Sequence, residues 1–409
     1  LPDDEEDEAA AAPDMPQLPV SSLPASVLTE ESARRLVKQC RTRELTVESE
    51  TLSEAVANLL IRHQGPVDAV FSAINFATGN IMETVYPNQL TFVNLSYLLP
   101  EIAKILARFS GVLVFQSLAE LSFEAARLIG NRTDGVRFEA IRQLPFDVLA
   151  ALVDEQLFGI YPAFLDFSGL IELDCASARL FEDFQGDLYL GLPSLSMETA
   201  EILARRKAKT VLTNLKEVPD TLAAFICQED NTLSFPGFAE AEMLTEAQAR
   251  HLVRYAPATG WPCYPFTLSL KTKTLTVAVA TQLVQYGGRL VFEGLEVLTA
   301  DVARILARHR LQLRNNIYQI NMGAWLSFPK LTTLSRECMH YFVRGQSNAQ
   351  LAFDGMESLD PGVAKELAEL KQSTLLLNGI RQLDETVAAQ LAKMQDVMLQ
   401  LNRLSQLPL

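Results

Sequence analysis

Residues 290–307 read LVFEGLEVLTADVARILA, residues 351–368 read LAFDGMESLDPGVAKELA, and residues 375–392 read LLLNGIRQLDETVAAQLA. With the first residue of each segment taken as position 0, apolar residues recur at positions 0, 2, 5, 8, 12, 13 and 16. Positions 0 and 2 alternate, the pattern of a half-buried strand, whereas 12, 13 and 16 recur at helical spacing. Position 9 marks the changeover and holds Thr299, Asp360 and Asp384. The side-chain oxygens of such residues accept from the free N–H groups of a first helical turn. One segment thus encodes a short strand, an apolar turn and a short helix.

Working outward, the same template starts at Leu90, Leu113, Val136, Leu165, Thr210 and Leu326. It fits with one-residue deletions near Leu45, Leu188 and Leu268, and with short insertions near Leu18 and Leu233. A poorer copy begins near Ala69, Leu311 opens a copy that breaks off, and Leu399 opens a half copy. This makes about fifteen full units. Position 9 in the further copies is Thr29, Ser53, Ser122, Asp174, Ser196, Thr245, Thr276 or Ser335, and Pro145 and Pro219 occupy it twice; proline also tolerates a helix start. A unit this small cannot bury its leucines alone, and stacking on neighbours makes the core continuous. Strands stack about 4.8 Å apart and helices need about 10 Å each, so the array is expected to curve with its strands inside. An α/β barrel would need eight units of about 30 residues, which this period does not supply.

The array resembles the leucine-rich repeat proteins, whose units run about 20–29 residues. Its motif, LxLxGLxxLxxxxAxxLA, is similar to a divergent array found in some bacterial proteins, planctomycetes among them. The resemblance covers residues 18–409. It implies an α/β, leucine-rich-repeat-like right-handed solenoid with one parallel sheet on the concave side and helices on the convex side. It also implies an interaction scaffold, not an enzyme. One departure stands out. The consensus places an asparagine where this chain has apolar position 5: Leu95, Leu118, Ile141, Leu170, Leu215, Leu295, Leu331, Met356 and Ile380. An apolar ridge is therefore expected in place of an asparagine ladder. The glycines at position 4 (Gly169, Gly237, Gly294, Gly355, Gly379) are read as serving the tight strand-to-helix turn.

The repeat leaves residues 1–17 outside it. Seven acidic and no basic residues precede Pro19 there, close to half of the net charge of −15. Such a run repels itself, and it is expected to be an acidic disordered tail or linker. The chain does not open on Met, which suits a segment of a longer protein or a processed product. Inserts are expected near 72–89, 153–164, 254–265 and 314–325, within one solenoid spanning 18–409.

The acidic balance argues against a nucleic-acid partner, and no apolar run is long enough to span a membrane. Five scattered cysteines form neither a disulfide framework nor a zinc motif. Free cysteines fit a reducing cytoplasm, and a cell-envelope location fits the sequence as well. No phosphate loop, HExxH or GxSxG is present, and no catalytic residue, metal site or cofactor is expected. Cys338 and His340 lie two apart on one helix and do not converge. His251 and His309, near helix ends, are read as cations suited to the helix dipole.

Function is therefore sought in departures from the repeat. The inserts carry Tyr161, Tyr255, Trp261, Tyr264, Tyr318 and Trp325, candidate partner-binding anchors because loop aromatics often anchor interfaces. The same rings could instead pack back on the solenoid edge. The outward sheet positions include Arg137 and Glu139, Asp166 and Ser168, Gln312 and Arg314, Ala352 and Asp354, and Gln400 and Asn402, a mixed polar face. The expected partner is another protein. The alternatives are a self-assembling structural or envelope component joined through uncapped ends, or the regulatory array of a larger multidomain protein.

Overall fold

The computed structural model describes residues 27–405 apart from 41, 65–71, 76–79, 84–87, 133, 154–162, 217, 256–266, 311–324 and 346–348. The acidic run and the strand expected near Leu18 lie outside these residues. From the helix Glu30–Gln39 onward, coil follows coil: a strand of two to six residues, a turn, then a helix. Strands form one layer and helices the other, and a single apolar core runs between them from Ala33 to Leu391.

The register follows the repeat. Leu90 pairs with Leu113, Leu113 with Val136 and Val136 with Leu165, all parallel, so every position 0 meets its neighbour's position 0. In the coil starting at Leu290, positions 0, 2, 5, 8, 12, 13 and 16 are all buried. The apolar position-5 residues are buried throughout, forming the ridge expected there. Caps close as the sequence dictates. Ser53 accepts from Val56 N, Ser122 from Ala125 N, Ser196 from Thr199 N and Asp384 from Val387 N. Thr245 and Gln248 bond reciprocally as a capping box. Thr299 makes no side-chain cap bond.

Position 2 adds a feature the template does not single out. Phe92, Phe115, Phe138 and Phe167 stack face to face, with centroids 5.3, 5.6 and 5.6 Å apart. Phe292, Phe328 and Phe353 repeat the stack at 5.2 and 5.3 Å. Parallel in-register strands place identical side chains one above another, and a ring offers a flat face at that spacing.

The structure corrects several expectations. Among the described residues there are two parallel sheets, not one: eight strands from Glu44–Val47 to Leu233–Ser234, and six from Thr267–Leu270 to Gln395–Gln400. The seam has a local cause. Position-0 residues normally donate to the following coil, as Leu113 does to Gly135 and Leu188 to Lys209. At the seam that residue is Leu233, whose N–H is taken by Asn231 Oδ1 at 2.9 Å. The Phe235 N–H, two residues on, is likewise diverted to His251 Nε2 at 3.0 Å. The strand stops after two residues and the chain enters a 3-10 turn, Pro236–Glu240. Across the seam run the Met243–Thr274 bridge and bonds from Lys271 N to Ala239 O and Lys273 N to Glu242 O, both 2.8 Å. The helices Glu246–Tyr255 and Val277–Leu283 pack together there.

The poorer copy near Ala69 is not a coil. Strand Glu44–Val47 pairs directly with Gln89–Phe92, and the segment between them holds an antiparallel pair, Ser72–Asn75 with Asn80–Glu83. Leu290 pairs directly with Leu326, and the copy opened at Leu311 falls outside the described residues. The glycines at position 4 are explained by close approach, not by an unusual φ. A Cβ on Gly294 would lie 1.9 Å from Lys271 O, and one on Gly379 2.3 Å from Asp354 O. Among the described glycines the left-handed range of φ is recorded at Gly111. Gly237 differs again and sits in the 3-10 turn against the Phe235 ring.

The work of an asparagine ladder is done elsewhere, by buried side chains on the helix-to-strand returns. Arg132 donates to Leu106 O at 2.8 Å and to Gly111 O. His309 Nε2 lies 2.9 Å from Gly288 O, and His63 Nε2 lies 3.1 Å from Arg43 O. Arg206 does most. Fully buried, it donates to the carbonyls of Phe181, Phe184, Gly186 and Lys209 at 3.1, 3.1, 2.5 and 3.2 Å, and to Thr210 Oγ1 at 2.5 Å. Burial pulls its pKa down to about 10, which leaves it charged at neutral pH.

Candidate interaction surface

At several helix starts the first residue follows an extended cap and is exposed, as Glu30, Glu54, Phe123 and Met197 are. In five successive coils, from strand Gln89–Phe92 to strand Asp187–Leu190, this edge carries apolar side chains. Tyr97, Leu99, Phe123, Phe146, Ile171 and Met197 are between 37% and 53% exposed. At 8–10 Å per packed helix, the strip runs for about 40 Å. Carboxylates border it: Glu101, Glu120, Glu124, Asp147, Glu172, Asp174 and Glu198, against Arg142 as the basic residue of these turns among the described residues. Acids in a first turn suit the helix dipole, which explains their place; the apolar residues beside them have no such reason to be exposed.

A groove opens midway along the strip. Helix Cys175–Arg179 has five residues, against eight in its neighbour Phe146–Val153. Below the gap lies a cavity of about 390 Å³, lined by Leu144, Leu149, Leu170, Leu173 and Phe181, with Gln143, Glu172, Asp174 and Ser177 at its mouth. Gln143 Nε2 donates to Glu172 Oε1 at 2.5 Å across the opening. Ser177 N–H donates to Asp174 at 2.7 Å and holds that carboxyl below its usual pKa, so the rim stays charged.

The sheet face is a satisfied polar surface by comparison. Arg137 Nε lies 2.8 Å from Asp166, a carboxylate only 8% exposed, and Asp166 also accepts from Ser168 N at 3.0 Å. Burial raises the Asp166 pKa against the pull of Arg137. Beside this pair Phe164 meets Tyr189 edge to face at 6.0 Å. Gln312 and Arg314 lie outside the described residues.

Of the aromatics singled out by the sequence, Tyr161, Trp261, Tyr264 and Tyr318 lie outside the described residues. Tyr255 is the last residue of its helix; its hydroxyl donates to Asn231 O and its ring packs 4.8 Å from His251. Trp325 opens strand Trp325–Ser327, half-buried, with the Arg289 guanidinium 3.1 Å over its ring. The two are not brought together. His251 and His309 are not surface cations. Both are buried, and desolvation lowers both pKa values, that of His251 to about 4. Cys338 is buried with Sγ on Leu298 O, while His340 Nδ1 meets Glu366 at 3.0 Å. The apolar strip was missed by the sequence reading, although the signal was one column away: position 10 is Phe123 and Phe146 beside the caps at position 9.

Parallel register, repeat and layered helices define an α/β leucine-rich-repeat-like solenoid. No protein-family model and no curated protein sequence matches the chain. Among solved structures, a chain of the yeast Rad7 and Elc1 complex is 12% identical over 72% of this chain and 77% of that one, with a TM-score of 0.37. A chain of the Drosophila Toll–Spatzle complex is 12% identical over 90% of this chain, which spans 55% of that one, little over half its length, with a TM-score of 0.44. An internalin of Listeria monocytogenes is 11% identical over 93% of this chain and 89% of that one, with a TM-score of 0.34. Likeness at this level says nothing about what this chain binds.

Proposed function

We propose that this chain is a non-enzymatic scaffold that binds another protein along the apolar edge, and that the partner presents a basic, amphipathic segment. The observation that carries this is the exposed strip from Tyr97 to Met197 with a groove at its centre and carboxylates along its length. Contiguous exposed apolar surface with a polar rim marks interaction sites. The acidic border favours Lys and Arg beside the apolar anchors and speeds encounter. Trp325 and the insert residues Tyr161, Tyr255, Trp261, Tyr264 and Tyr318 are proposed as further contacts for a larger partner. The motif itself supports placing the chain among the divergent bacterial arrays it resembles.

Selection from a random displayed peptide library tests this reading. The chain should enrich sequences that combine aromatic or aliphatic anchors with Lys or Arg. Phe123→Ser, Phe146→Ser and Ile171→Ser together should lose that enrichment while melting unchanged, since all three are exposed. Enrichment that survives the triple variant would place binding elsewhere.

Self-association is a second reading, favoured by the strand Gln395–Gln400, which stands last in its sheet among the described residues and carries exposed Met398. A strand edge is a template for pairing, and a lysine there discourages it. Mass in light scattering should then rise with concentration, and Met398→Lys should suppress the rise; a constant mass would exclude it.

A further inference from the structure

The helices Ala300–Leu306 and Arg336–Gly345 end side by side, and a cavity of about 480 Å³ lies between their last turns. Arg304, Arg308, Arg310 and Arg344 line it, with Tyr341 and Gly345. Four guanidiniums gather here on a chain whose net charge is −15. The place is the edge opposite the apolar strip, at helix C-termini instead of N-termini.

The four arginines differ in what they hold. Arg310 donates to the carbonyls of Ala307, His309 and Gly345 at 3.3, 2.8 and 2.6 Å, tying the two helix ends together. The helices approach closely at that point: a Cβ on Gly345 would lie 2.7 Å from Ala307 O. Arg304 lies 3.2 Å from Asp301 in an exposed pair, an arrangement of little strength in water. Arg308 and Arg344 are exposed and have no carboxylate partner among the described residues. The helix dipole accounts for cations near these termini. It does not account for Arg308 and Arg344 facing the same cavity without a carboxylate partner among the described residues, beside two further guanidiniums that repel them.

We infer that this cavity binds a phosphoryl group. Guanidinium forks match phosphate oxygens in bidentate fashion. A phosphoryl dianion offers three acceptor oxygens to donors arriving from Arg304, Arg308 and Arg344. A single carboxylate offers two and neutralises one charge. The cavity has room for what the phosphoryl group is attached to, and Tyr341 supplies an aromatic wall.

Isothermal titration of the whole chain with inorganic pyrophosphate at fixed salt tests the assignment. Saturable one-to-one binding is expected, weakened at least about tenfold by Arg308→Gln with Arg344→Gln, because each lost charge-assisted bond accounts for about that factor. Both side chains are exposed, so the melting temperature should hold, and each single variant should show part of the loss. A control with Arg34→Gln and Arg35→Gln, distant on the first helix, should bind as the parent does. A phosphoserine peptide that binds more tightly than pyrophosphate would identify a protein-borne phosphoryl group, and the reverse order a small phosphate ester; either supports the site. Absence of saturable binding to either probe, equal loss in the control, or citrate binding as tightly as pyrophosphate would overturn it.

Discussion

Replacing Arg206 with methionine should lower the unfolding free energy by about 3–5 kcal/mol, the largest effect expected of any single substitution outside the apolar core. Methionine fills much of the volume but donates nothing. Four carbonyls, those of Phe181, Phe184, Gly186 and Lys209, would each lose the arginine's bond at once, and Thr210 its Oγ1 bond; Phe181 O and Lys209 O keep the backbone donors Phe184 N and Leu188 N. A buried acceptor left bare costs about 1–3 kcal/mol, and entering water recovers part of that. Arg206→Lys should recover little, because a point ammonium cannot reach acceptors that a planar fork spans. The urea midpoint reads the effect directly. A methionine variant with the parent's midpoint would mean that backbone donors and water satisfy these carbonyls and that the return does not depend on the arginine.

Phe138→Ala should cost about 3–5 kcal/mol, the range for emptying a buried aromatic site. The ring stands inside a column, stacked on Phe115 and Phe167 at 5.6 Å each, so its loss strips both neighbours of a face. Parallel strands hold the backbone on either side and limit collapse into the gap. Phe353, which stacks on Phe328 and also touches Phe342 from the side, has fewer stacked neighbours, and its truncation should cost less. Thermal melting of the two alanine variants gives the comparison. Equal losses would show that burial alone matters and that the stack adds nothing.

The repeat could be read from sequence because its period is enforced by packing. Leu295, Met356 and Ile380 are buried where the template puts them, and the caps at Ser122 and Asp384 close on the residues three further on. What could not be read depends on contacts between coils. Arg132, Arg206 and His309 recur just past the helices, yet an isolated arginine or histidine reads as surface charge until the neighbouring coil's carbonyls are placed around it. The seam was hidden for a related reason. Leu233 and Phe235 look like ordinary strand positions until the bonds that divert their N–H groups to Asn231 and His251 are identified. The apolar edge was obscured by amphipathic logic, since Phe123 and Phe146 beside a helix start pass for core. The groove between Phe146–Val153 and Cys175–Arg179 depends on a helix being two to three residues short, a boundary that sequence periodicity does not resolve.

The seam after Phe235 also bears on mechanics. Within each sheet, tension along the stack would be shared by ladder bonds that must break together, which makes each block stiff. Between Leu233–Ser234 and Thr267–Leu270 the load falls on one bridge, a few backbone bonds, the Lys271–Glu240 and Lys273–Glu242 ion pairs, a pair of packed helices and the continuous apolar core. The protein is then two springs in series, joined by side-chain packing where the strand ladder is interrupted. The apolar edge lies wholly on one spring and the arginine cavity wholly on the other.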